Sequence, residues 1–339
     1  MPNERIAMPY IKSFFRIVFH SPSKLSLKSV RKERLPYIWS WIAIFIWLYS
    51  YFLPMGDFAF ENALFESTMG DSPVYFYFFL ISGCLIPLIF DGKKFVSAAF
   101  YSVIVSLICF VSVLLIGPGT VSKVIMLIAV PCIAHIFVSN VYAFFMALNN
   151  SEKFYSMILA VLLPKVLLYV KPIFFRTESG LNLSVILIFL TMVTLSVCHY
   201  LIKRNIGTVV FCQKVKAPIK AYSLMPVVFV AFALNDIIAP AALQNMSGLA
   251  DIPVESHYFF GILAGLAVVL LLQNRFSMNL CNMLNLSFAF LAVGFVTDIV
   301  RMQYPDMVLV SAVCFGVAYS IGIVNIYYLA GFMIKKFRS

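Results

Sequence analysis

The stretch FVSAAFYSVIVSLICFVSVLLIG at residues 95–117 holds no Asp, Glu, Lys, Arg or His in 23 positions. At about 1.5 Å per residue, a helix of that length reaches roughly 34 Å, enough to cross the ~30 Å hydrocarbon core of a bilayer. Its polar groups are scattered hydroxyls and one thiol, without the strict apolar/polar alternation of a membrane β-strand. The stretch therefore specifies an apolar α-helix in lipid. Similar runs recur on both sides of it, near 37–55, 73–90, 124–147, 154–175, 183–202, 223–244, 257–273, 279–300 and 307–333, which makes ten candidate spans.

Composition agrees with that reading. Of the 339 residues, 62% are A, V, I, L, M, F, W, Y or C and 12% are charged, where a soluble domain has roughly 45–50% and about 25%. The mean hydropathy of +0.97 leaves too little polar surface to cover a globule in water. Seven cysteines, six of them in apolar runs (Cys84, Cys109, Cys132, Cys198, Cys281, Cys314), have neither metal-site spacing nor the density of a disulfide scaffold and read as small core residues. The net charge of +11 does not gather into the basic face that a nucleic-acid binder needs. No nucleotide-binding loop, zinc motif or nucleophile elbow is present. We expect no metal, no cofactor, no nucleic-acid partner and no catalytic centre.

The basic residues instead mark one side of a membrane. With the N-terminus in the cytoplasm, the inside segments collect twenty of the 25 Lys and Arg residues, whereas the outside segments hold Lys123, Arg176 and Arg301, and Lys165 and Lys171 fall within the fifth span. An even number of spans returns Lys335, Lys336 and Arg338 to the cytoplasm, so both termini are expected there, in a cytoplasmic (inner) membrane. Residues 1–36 read as a cytoplasmic basic segment in which Lys12, Arg16 and His20, four residues apart, line one face of an interfacial amphipathic helix; a basic disordered arm is the other reading. The expected organisation continues with a six-helix bundle at 37–202, a basic cytoplasmic linker at 203–222, a four-helix bundle at 223–334 and a tail at 335–339.

Six spans, a basic linker and further spans resemble the major facilitator superfamily. The turn Phe90-Asp91-Gly92-Lys93-Lys94 resembles a contracted form of that family's loop between helices 2 and 3, in which an acid, a glycine and consecutive basic residues occur; Arg275 stands in the corresponding turn of the second half. The resemblance implies an all-α polytopic bundle in a 6+4 arrangement, ten spans instead of the family's usual twelve, that moves a small solute by alternating access. On the residues alone, Gly92 permits a tight turn, and an ordinary lysine-rich inside turn explains the same pattern. A ten-span drug/metabolite-type transporter of five plus five inverted repeats is the competing architecture.

Ionisable and amide groups within spans are the remaining candidates for chemistry, because a charge at the centre of a span costs about 2.5–3.5 kcal/mol on insertion scales. Asp236, beside Asn235, lies about thirteen residues into the seventh span and Lys165 about eleven into the fifth. At the usual helical rise these two reach similar depths and are expected to share a cavity or an ion pair. His135, after Pro131 in the fourth span, suits a proton relay or a hydrogen-bonded packing role. Asn325 in the tenth span is a polar cavity candidate, while Gly316 and Gly322 suit close helix packing. Asp298 and Arg301 are explained by a local i,i+3 pair, and His199, near the inner end of its span, calls for no functional role. These residues suggest a secondary transporter, with a non-transporting membrane sensor or a shortened transporter relative as the alternative; the lipid bilayer and a small solute are the expected partners.

Overall fold

In hydrocarbon a backbone N–H or C=O finds no water, so a spanning segment must pair these groups within itself. The computed structural model shows that outcome. It describes residues 25–47, 73–117, 119–174, 183–209, 254–276 and 279–336, with single positions 230, 238 and 242; these are helical, with short turns and no strand among them. The helices are α1 (Leu35–Trp47), α2 (Pro73–Ile89), α3 (Gly92–Ile116), α4 (Thr120–Ala147), α5 (Asn150–Phe174), α6 (Leu183–Arg204), α7 (Val254–Leu271), α8 (Leu280–Val300) and α9 (Met307–Lys336). Five segments are long and apolar enough to cross a membrane by length and composition: Gly92–Ile116, Thr120–Ala147, Val254–Phe276, Asn282–Val300 and Met307–Tyr328. The expected seventh span, the proposed amphipathic helix at residues 12–20, Asn235 and Asp236 lie outside the described residues.

The chain divides into two units, Val30–Lys214 and Met1–Ser29 with Val215–Ser339. In the first, α1 packs against α4, α5 and α6, while α4 also packs on α2 and α3, and α3 on α6. Trp41 of α1, fully buried, joins three of these helices. Its ring stacks on Phe144 of α4 at 4.2 Å between centroids, and its Nε1–H donates to Met157 Sδ of α5 at 3.2 Å. A buried aromatic of this size supplies both dispersion contact and a directional bond.

Helix ends follow from local chemistry. Gly117 takes φ 80, a left-handed conformation that suits glycine, where α3 ends. At the start of α5, Asn149 Oδ1 accepts from the Glu152 N–H and Glu152 Oε2 accepts from the Asn149 N–H, both at 2.8 Å, a reciprocal capping box. The other Glu152 oxygen accepts from the Arg31 N–H at 3.0 Å, so one buried carboxylate caps α5 and holds the segment leading into α1. Lys153, counted above among the inside cations, has no exposed surface.

The second unit is built around α9, which packs on α7 and α8 and is buried on nearly every face between Ser311 and Asn325. Gly261 and Gly265 of α7, four residues apart, face Gly316 and Ser320 of α9. A Cβ on Gly261 would lie 2.3 Å from the Val313 carbonyl oxygen, and one on Gly316 would lie 2.2 Å from that of Tyr258. The two backbones therefore touch, the close approach expected of Gly316, and small residues are what permit it. On the other side Gly294 of α8 admits the Phe315 ring, and Ser287 Oγ donates to the Ala318 carbonyl at 2.8 Å.

Several expectations change in detail. The turn expected at Gln273–Phe276 instead continues α7 as a π turn, Leu272–Phe276, with Gln273 buried and Arg275 exposed; α8 starts after Asn279, whose side chain accepts from the Asn282 N–H at 2.8 Å. Among the described cysteines, all free, Cys109, Cys198 and Cys314 are buried, but Cys84 is exposed on α2. The Asp298–Arg301 pair forms as expected, at 2.5 Å.

Because the α7–α9 contact leaves no room for a methyl group, Gly261→Ala should destabilise the protein by about 1–3 kcal/mol. Gly207→Ala, where a new Cβ meets nothing within 4 Å, should be close to neutral. Reversible unfolding in mixed micelles measures both.

Candidate functional site

Polar side chains inside the first unit converge on α4. His135, Ser139 and Asn140 lie within one and a half turns of this helix and are all buried. His135 joins α4 to α3: its Nε2 is 2.9 Å from the Phe95 carbonyl oxygen and its Nδ1 is 2.8 Å from Ser102 Oγ. A carbonyl can only accept, so Nε2 carries the proton of the neutral imidazole and Nδ1 accepts from the serine hydroxyl. The Phe95 ring lies 4.5 Å from the imidazole. Both nitrogens are engaged, and the ring has one satisfied orientation.

One and a half turns further along α4, Asn140 joins three helices. Its Oδ1 accepts a short hydrogen bond from Ser40 Oγ of α1. Its Nδ2 donates to the Ile136 carbonyl at 2.8 Å and faces His199 Nε2 of α6 at 3.2 Å. Ser40 Oγ also lies 3.2 Å from His199 Nε2, but its single proton is committed to Asn140. In the neutral ring Nε2 therefore accepts from Asn140, and the proton resides on Nδ1. That Nδ1 is buried and has no hydrogen-bond partner among the described residues, as is also true of Ser139 Oγ on α4 and Ser106 Oγ on α3. His199 itself is 1% exposed.

Other sequence candidates fall elsewhere. Lys165 lies half-buried on α5; its expected partner Asp236, with Asn235, is outside the described residues. Asn325, 1% exposed, turns its amide back to the Ile321 carbonyl of its own helix at 2.6 Å. Asp91 precedes α3 without a side-chain capping bond, and Lys93 and Lys94 are exposed. Gly92 does not supply a left-handed turn, since Gly117 alone among the described glycines has a positive φ. A Cβ at Gly92 would lie 2.3 Å from the Tyr142 hydroxyl, so this glycine makes room for a ring on α4. No group of three or more His, Cys, Asp or Glu side chains that could hold a metal occurs among the described residues.

Ser40, Asn140 and His199 were not expected to form a site. Each lies in an apolar run, and their sequence separations of 100 and 59 residues leave no local pattern. The available signal was that an amide and an imidazole inside spans both need partners. Comparisons with protein-family models, with curated proteins and with solved structures find no match.

The shared bonds predict an energetic coupling. Asn140→Ala and His199→Ala should each destabilise the fold, and a double-mutant cycle between them should give a coupling of about 0.5–2 kcal/mol. A cycle between Asn140 and Asn325, which share no hydrogen-bond partner among the described residues, should give a value near zero, with unfolding in mixed micelles as the readout.

Proposed function

We propose that this chain is a secondary transporter-like membrane protein that moves a small solute by alternating access. The observation that carries the reading is the polar seam on α4, which ends in a buried imidazole nitrogen without a partner. Within an apolar bundle such a group is costly, and ionisable groups retained at that depth commonly line solute or proton routes. His199 Nδ1 is the donor free to engage a solute oxygen or a water, with Ser40 and Asn140 orienting the ring. His135, saturated on both nitrogens, acts as a brace between α3 and α4. Asp236 and Asn235 remain the proposed ion-coupling pair, with Lys165 a further proposed coupling residue.

Two features support the facilitator-like form of this proposal. The division at Lys214/Val215 falls in the basic stretch 203–222, and a rocking mechanism requires two separately packed bodies. A six-plus-four arrangement, cytoplasmic termini and an inner-membrane location belong to the same proposal. The saturated contacts of His135 and Asn325 favour a second reading, a non-transporting membrane sensor.

Transport distinguishes these readings. Purified protein in proteoliposomes should exchange at least one class of sugar, amino acid or organic acid faster than protein-free vesicles, and Asp236→Asn and His199→Ala should each reduce that rate at least tenfold. Flux unchanged in His199→Ala would remove the α4 seam from the mechanism. A broad solute panel without flux, using protein that retains its wild-type unfolding transition, would exclude transport in favour of the sensor.

A further inference from the structure

The outer surface of the first unit carries a second polar assembly, separate from the α4 seam. Helix α3 begins Gly92-Lys93-Lys94, and α6 ends Lys203-Arg204. Gly92 lies against Tyr142 near the end of α4, and Asn140, also near that end, meets His199 near the end of α6. The start of α3 and the end of α6 are thus at the same end of the unit, and these two helices pack together.

Helical spacing places the four cations along one groove. Lys93 and Lys94 lie seven residues before Phe100 and Tyr101, two turns down the same faces of α3. Arg204 lies four residues after Tyr200 on α6, on the face of that ring. The Phe100 and Tyr200 rings meet across the groove at 6.0 Å. Lys203 Nζ sits 4.1 Å from the Tyr101 ring centroid and 5.2 Å from that of Phe100, and it donates to Tyr101 Oη at 2.6 Å. This leaves the Tyr101 O–H free to donate and the Lys203 ammonium with further N–H groups. Lys93, Lys94 and Arg204 are exposed and have no acidic partner among the described residues; exposed Asp91 is the neighbouring carboxylate and cannot balance four cations.

Away from the charges the groove becomes apolar. Tyr101 and Tyr200 are 59% and 52% exposed, and Val105, Ile108 and Val197 continue the exposed surface along the two helices. The sequence of cations, then tyrosines, then aliphatic side chains matches a phospholipid read from phosphate through ester to acyl chain. We propose that this α3–α6 groove binds the headgroup of an anionic phospholipid, with Lys93, Lys94, Lys203 and Arg204 around the phosphate and Tyr101 donating to a phosphate or ester oxygen. The lipid fastens the end of α6 to the start of α3, so its binding stabilises the first unit.

Native mass spectrometry of the full chain in detergent, titrated with dioleoyl phosphatidylglycerol, tests the site. Lys203→Gln should weaken binding about five-fold, and the triple change Lys93→Gln, Lys94→Gln, Lys203→Gln about 100-fold, since each basic residue near a membrane surface contributes about 1 kcal/mol. Lys203→Arg should retain most of the affinity. Lys123→Gln, which removes an exposed lysine at the other end of α4, should leave it unchanged. Equal binding of phosphatidylcholine, an unaffected triple variant, or equal loss in Lys123→Gln would overturn the proposal. Competition by glycerol 3-phosphate at the lipid's own concentration would also overturn it, by showing a site for free phosphate instead of lipid. Each variant is compared at the wild-type unfolding temperature in lipid-free detergent, so that loss of fold is not read as loss of affinity.

Discussion

The requirement that every polar group in hydrocarbon find a partner inside the chain underlies the whole structure. It makes the backbone helical, and it also shapes where most polar side chains lie. Ser112, Thr194 and Ser196 each return a hydroxyl to the carbonyl four residues earlier at 2.8 Å. Such local bonds let a hydroxyl occupy a lipid-facing or half-buried position without a neighbouring helix. Groups too large or too demanding for this solution, the imidazoles and the Asn140 amide, must lie where helices meet.

The two units satisfy the same requirement by different packing. Between helices in lipid there is no hydrophobic gain to exploit, so association relies on dispersion at close range and on directional bonds. The second unit combines both: Gly261, Gly265 and Gly316 bring the α7 and α9 backbones together, and Ser287 and Thr297 of α8 bond to α9. The first unit takes the second route, with Trp41 bonded to Met157 and stacked on Phe144, and Asn140 joined to Ser40 and His199. Glycine contacts tolerate little change in spacing, whereas hydrogen-bonded side chains can exchange partners.

This difference also explains what was legible in the sequence. Apolar run length is a local property, so α2 to α9 coincide with expected spans to within a few residues; residues 223–244 are, apart from single positions, outside the described residues. The Asp298–Arg301 pair was legible because its partners are three residues apart. Gly92 was misread because sequence shows a turn with a glycine but not the Tyr142 ring that occupies the space its missing side chain leaves. Glu152 and Lys153 resemble ordinary surface charges, yet both are buried because the chain before α1 folds across the start of α5. The seam was hidden for the same reason: Ser40, Asn140 and His199 become neighbours only through packing among α1, α4 and α6.

The two histidines of this unit show why burial alone does not identify a functional group. His135 is fixed by a carbonyl on one nitrogen and a hydroxyl on the other, so displacing its proton would break a satisfied bond at each end. His199 has the same ring at greater burial, but Asn140 and Ser40 both approach a single nitrogen, and the second has no partner. Leaving a buried donor unpaired costs about 1–3 kcal/mol, a cost that a ligand or a water can relieve at this position and that His135, bonded on both nitrogens, does not carry. The unpaired nitrogen therefore lies on the α6 side of Asn140, while on the α3 side His135 joins two helices through satisfied bonds.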